Sequence, residues 1–129
     1  PDQLYELAIS RYDDVAEWLG HEESPLRDYS PVIYPQGSFR LGTAVRPFRG
    51  TGEFDIDLVC RLEIAKDRTT QAKLKGDVGD RLKANDELAA MLGERRRCWT
   101  LDYPREFHLD VLPAIPDAEG RPDSILLTD

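Results

Sequence analysis

Phe54-Asp55-Ile56-Asp57-Leu58-Val59-Cys60-Arg61-Leu62 is the stretch on which the fold turns. Its run of apolar residues, bounded by a Gly/Pro-rich segment, predicts a strand. Strand side chains alternate between faces, so Asp55 and Asp57 point one way, and Phe54, Ile56 and Leu58 the other. The apolar residues need cover, which makes this a central strand with at least one face buried. Two carboxylates on one face, about 7 Å apart, repel each other and resist desolvation. A divalent cation removes that conflict, since Mg²⁺ is held by a few carboxylates together with substrate phosphates. A lone Asp-x-Asp is more often a polar face turned to water, so the rest of the chain has to decide.

A second strand decides it. Phe107-His108-Leu109-Asp110-Val111 places Phe107, Leu109 and Val111 on one face, and His108 and Asp110 on the other. If it lies beside 54–62, three carboxylates converge on one patch. Such a patch is hard to explain without cations, and two cations about 3.5–4 Å apart are the usual arrangement for in-line nucleotidyl displacement. His108 shares the face of Asp110, where a structural role is the more frequent one. Upstream, Gly37-Ser38 fits a phosphate cradle. Glycine lets the backbone approach a phosphate closely, and the following N–H groups and the Ser38 hydroxyl supply donors. Alone, Gly-Ser before a helix is usually only a cap. Upstream of an acidic strand, it faces the metals.

Outward from these motifs, Leu4, Leu7, Ala8, Tyr12, Val15, Ala16 and Leu19 predict a helix over 3–19, stopped at Gly20. Residues 21–30 read as a polar loop and 31–34 as extended. Ser38 caps one or two helical turns ending at Gly42, and 46–53 is a loop. Thr69 or Thr70 opens one long helix with Leu74, Val78, Leu82, Leu88, Ala89 and Leu92 as its stripe and Gly93 as its stop. Gly76 and Gly79 weaken it by up to about 1 kcal/mol each. Strands at 98–101 and 107–112 form an antiparallel hairpin through Pro104-Arg105, Pro113 and Pro116 end the second, and 124–128 is a last strand. The order is that of an α+β domain, a mixed central sheet flanked by helices, and not the strict βαβ alternation of a doubly wound fold.

Composition narrows the function. The chain has 129 residues, 17 Lys+Arg against 25 Asp+Glu and a formal charge of -8. One compact domain fits that length, and 1–129 is read as one domain. The acidic balance argues against stable DNA binding, which rests on neutralising many phosphates. No stretch approaches the ~20 apolar residues of a membrane helix, so no membrane partner is expected. Cys60 and Cys98 sit in apolar segments and read as buried free thiols in a reducing cytoplasm. Arg95-Arg96-Arg97 reads as a solvated strand end rather than a nucleic-acid patch. Arg40 and Arg46 could reach phosphate or pair with surplus acids. Trp18 and Trp99 read as core, and Asp102 and Glu53 as acids without a special role. The chain starts at Pro1 and stops at Asp129 just after a strand, which suggests an N-terminal fragment of a larger protein.

Gly-Ser, a strand with Asp-x-Asp and a third Asp on a later strand together resemble the nucleotidyltransferase superfamily with a polymerase-β-type palm. Residues 34–43 (YPQGSFRLGT), 54–59 (FDIDLV) and 107–114 (FHLDVLPA) resemble more narrowly the cGAS/DncV-like nucleotidyltransferases of bacterial anti-phage signalling (CBASS). The resemblance spans roughly 30–115. It implies synthesis of cyclic oligonucleotide second messengers from nucleoside triphosphates, ATP among them, with pyrophosphate released. It implies Asp55, Asp57 and Asp110 as catalytic ligands of two Mg²⁺ ions (Mn²⁺ as a substitute), and Gln36, Gly37 and Ser38 as contacts to the donor triphosphate. It further implies a second helical lobe absent from this chain, a downstream effector reached through the product, and regulatory accessory proteins. The sixteen residues between Ser38 and Asp55 exceed the compact spacing of minimal nucleotidyltransferases. The same acids would also suit a transferase acting on a protein, an RNA end or a small molecule. A non-catalytic nucleotide-binding module is the third alternative.

Overall fold

An apolar stripe at three- and four-residue spacing builds the first helix, α1 (Asp2–Gly20). Ala8, Val15 and Leu19 are fully buried, with Leu7, Tyr12 and Trp18 packed at the margin. The computed structural model describes residues 2–36, 54–103, 107–116 and 125–127, with the backbone alone at 2–5, 36, 54–55 and 125–127. The short helix expected at 38–42 and the loop expected at 46–53 lie outside the described residues. The polar segment after α1 contains a 3-10 turn, Pro25–Tyr29, where the sequence suggested only loop. Ser24 caps it, accepting a hydrogen bond from the Leu26 N–H at 3.2 Å, and Pro25 presets the first φ.

Strands β1 (Val32–Gln36) and β2 (Phe54–Arg61) pair antiparallel. β2 also pairs, in parallel, with β5 (Phe107–Pro116). On the other side of β5 lie β4 (Trp99–Tyr103) and then β3 (Leu92–Glu94), both antiparallel to their neighbours. The order is β1-β2-β5-β4-β3, and β6 (Ile125–Leu127) pairs with the C-terminal part of β5. The expected mixed sheet of an α+β domain is therefore present, as are the hairpin at 98–112 and the last strand.

Helices cover one face of that sheet. Ile56, Leu58, Cys60, Leu101, Phe107, Leu109 and Val111 join the buried residues of α1, of α2 (Gln71–Lys83) and of α3 (Asp86–Met91) in one apolar cluster. Alternation then leaves Asp57, Thr100 and Asp110 on the opposite face. Cover on one side is what lets acids stand on a central strand at all.

Two expectations need correction. The single helix from Thr70 to Gly93 is two helices and a strand. Thr70 does cap α2, accepting from the Lys73 N–H at 3.0 Å. But Asn85 accepts from the Leu88 N–H at 3.1 Å and starts α3. A side chain that competes for backbone donors breaks a helix and favours a new N-terminus, and Asp86 and Glu87 suit that end of the new helix dipole. Leu92 and Gly93 then pair with Leu101 and Thr100 as β3. Nor does Pro113 end its strand. The Leu62 N–H donates to the Ala114 carbonyl, so Pro113, one residue earlier, turns its backbone away from β2. On that side it lies past the last β4 partner, Trp99↔Val111, and before the first β6 partner, Ala114↔Leu127. Among the described residues the missing N–H removes no ladder bond there, and such a position is where a strand tolerates proline.

Candidate active site

Strand register arranges the polar residues in rows. Asp57 stands opposite Asp110 across the β2–β5 pair. Asp110 stands opposite Thr100 across β5–β4, and Asp57 opposite Gln36 across β2–β1. One row therefore reads Gln36, Asp57, Asp110, Thr100. In the next row Asp55 is in register with His108, and His108 with Asp102. The third acid is thus the direct neighbour of Asp57 and the diagonal neighbour of Asp55. The β2–β5 pair is parallel, and the long connection through α2, α3, β3 and β4 is the crossover such a pair requires.

Burial behind the row is complete. Ile56, Leu58, Leu109 and Val111 are inaccessible to solvent, while Asp57 and Asp110 are half-buried on the open side. The Thr100 hydroxyl donates to Asp110 Oδ1 at 2.8 Å, and Thr100 is itself buried, at 5% exposure. His108 Nε2 lies 3.2 Å from Asp102 Oδ1 at the more exposed end of the patch. A groove of about 510 Å³ opens beside it, lined in part by Leu92, Gly93, Arg95, Thr100, Asp102 and His108.

The electrostatics report convergence. Burial, first, and then the charge of Asp110 push the Cys98 thiol above its ordinary range; Asp57 adds to this, and the Thr100 hydroxyl and Arg95 pull the other way. One thiol feels both carboxylates, so their fields overlap on this face. Neighbouring strands lie about 4.8 Å apart. Facing carboxylates repel, the Thr100 hydroxyl offsets part of that at Asp110, and a divalent cation shared by the two acids turns repulsion into attraction.

The donor chemistry fits such an ion. Carboxylate oxygens are hard ligands suited to Mg²⁺ or Mn²⁺, whereas a cysteine sulfur is a soft ligand suited to other metals. Among the described residues no group of three His, Cys, Asp or Glu side chains could hold a metal; the described donors are the pair Asp57 and Asp110. Asp55 and Gln36 are placed by backbone register. Gly37 and Ser38, with Arg40, Arg46 and Glu53, lie outside the described residues.

Thr100 went unnoticed in the sequence, although Cys98-Trp99-Thr100-Leu101-Asp102 alternates as strictly as the two acidic strands. The antiparallel hairpin expected from the sequence was the available signal, and β4 does pair with β5 in that sense. Asp102, read as needing no role, pairs with His108. Arg95, Arg96 and Arg97 are exposed between β3 and β4, in line with a solvated strand end. Cys60 and Cys98 are buried and free, as expected.

Comparison with known proteins agrees with this geometry. Residues 31–113 match the family described as cyclic GMP-AMP synthase DncV-like, nucleotidyltransferase domain. A c-di-GMP synthase of Roseivirga ehrenbergii is 31% identical over 102 residues, covering 79% of this chain and 27% of that protein. The cyclic dinucleotide synthase CdnG of Bradyrhizobium diazoefficiens is 33% identical over 117 residues, covering 88% of this chain and 26% of that one. The structure of that CdnG in complex with GTP superposes with a TM-score of 0.77 at 27% identity, over 98% of this chain and 38% of the other. The chain thus spans about a quarter of the length of these relatives.

Proposed function

The chain belongs to the DncV-like nucleotidyltransferase family, and on that premise we propose that the protein joins nucleoside triphosphates into a cyclic oligonucleotide and releases pyrophosphate. The observation that carries the reading is the register of Asp57 against Asp110 on adjacent parallel strands. The relatives' names, c-di-GMP synthase and cyclic dinucleotide synthase, favour a ring of two nucleotides.

Each chain group has a part. A ribose hydroxyl oxygen attacks the α-phosphorus of a bound triphosphate; a P–O bond forms, the bond to the bridging oxygen breaks, and pyrophosphate leaves. Asp110 sits beside the nucleophile and takes its proton. Two such transfers close the ring. Asp55, Asp57 and Asp110 would hold two Mg²⁺ ions, or Mn²⁺, which when bound lower the hydroxyl pKa and neutralise charge on the phosphate. Gln36, Gly37 and Ser38 hold the donor triphosphate, ATP or GTP. The groove beside Thr100 and His108 has the volume of a small-ligand site.

The setting follows from the chemistry. Nucleoside triphosphates place the enzyme in the cytoplasm, and no described helix is long and apolar enough to cross a membrane. The product acts in anti-phage defence by reaching an effector, with accessory proteins governing synthesis. The test is to incubate the full-length protein with Mg²⁺ or Mn²⁺ and four labelled ribonucleoside triphosphates and to resolve the products by mass. Cyclic products that vanish in Asp57→Asn support the reading. Label on a macromolecule or a small acceptor points instead to another transferase, and an absence of pyrophosphate release to a binding module.

A further inference from the structure

We propose that Thr100 is a positioning residue for the metal-holding carboxylate of Asp110, a role that rests on the site reading above. Thr100 lies at 5% exposure on β4, directly across from Asp110, and its hydroxyl donates to Asp110 Oδ1 at 2.8 Å. A threonine hydroxyl has one proton. Donated to Oδ1, it restricts the rotation of the carboxylate; the Cys98 thiol also lies within hydrogen-bonding reach of this hydroxyl. β-Branching fixes χ1 of Thr100 in turn, so the donor cannot swing away cheaply.

The backbone behind this donor is held twice. Trp99, the preceding residue, donates its indole N–H to the Lys75 carbonyl of α2 at 2.9 Å. Gly93 of β3 pairs with Thr100 on the outer side. The hydroxyl is therefore presented by a strand clamped between a helix and an edge strand. The acceptor at 2.8 Å is the acid that also faces Asp57. Groups hydrogen-bonded to metal ligands tune affinity by about 10–100-fold.

The test is Mn²⁺ binding to the full-length protein, followed by electron paramagnetic resonance, with thermal unfolding in parallel. Thr100→Val keeps the shape and loses the donor; it is expected to weaken Mn²⁺ binding about 10-fold or more. Thr100→Ser keeps the donor and is expected to bind within about 3-fold of wild type, whatever either variant does to the unfolding midpoint. Asp110→Asn is the control. If Asp110→Asn weakens Mn²⁺ binding and Thr100→Val does not, the role of Thr100 is overturned and the site stands. If Asp110→Asn binds Mn²⁺ like wild type, the site reading itself fails.

Discussion

Trp99 occupies the space that Gly79 leaves empty. A Cβ at Gly79 would lie 2.2 Å from Trp99 Cζ2 and 2.5 Å from Cε2. The close approach of α2 to β4 depends on that missing atom, and Trp99 adjoins Thr100, so the contact sets how the strand presents its hydroxyl. The indole cannot retreat without losing its bond to the Lys75 carbonyl.

Two glycines of one helix should therefore respond with opposite signs. Gly79→Ala gains helix propensity but overpacks a ring that is held in place, and should lose about 1–3 kcal/mol. Gly76→Ala meets nothing within 4 Å and should gain about 0.5–1 kcal/mol. Urea unfolding of the two variants checks this; equal responses would contradict it.

Trp18 and Arg81 clasp α1 to α2 by reciprocal bonds. The Trp18 indole N–H donates to the Arg81 carbonyl at 2.7 Å, and Arg81 Nε donates to the Trp18 carbonyl at 2.8 Å. The guanidinium also lies 3.5 Å from the indole centroid. Arg81→Met should cost about 1.5–3 kcal/mol. Lysine should not rescue it, because a single ammonium cannot both stack and reach the carbonyl as the planar guanidinium does. Chemical denaturation of both variants is the measurement, and a lysine variant as stable as wild type would contradict the clasp.

The buried thiols predict a loss of stability in alkali. Burial pushes Cys60 up to about 12, against about 8.5 in an unfolded chain. Between those values the unfolded state has released a proton that the folded state keeps. Stability then falls as pH rises, by up to about 1.4 kcal/mol per pH unit for this one group. Below about pH 8 the term is absent. Unfolding midpoints measured from pH 8 to 10.5 should slope less steeply in Cys60→Ala than in wild type, even though the variant starts lower.

Much of the site was readable in the sequence because strand alternation is a rigid rule. Asp57 and Asp110 each sit in the middle of an apolar run, and the two runs had only to pair for the acids to meet. The helix break at Asn85 was less legible, since the apolar stripe from Leu74 to Leu92 continues through it and a local cap overrides the pattern. Pro113 misled for a related reason. Its meaning depends on which neighbour its backbone faces, and that is set by where the pairing with β4 stops and the pairing with β6 starts, not by the residues beside it. The role of Thr100 needed the hairpin register as well as the alternation.

Crystals of the full-length protein grown with Mn²⁺ and an α,β-methylene nucleoside triphosphate put the central claim to the most direct trial. An anomalous difference map should show manganese bound by carboxylate oxygens of both Asp57 and Asp110, at about 2.1–2.3 Å as for small hard cations. Manganese found elsewhere, or held by one of these acids with the other turned away, would contradict the account.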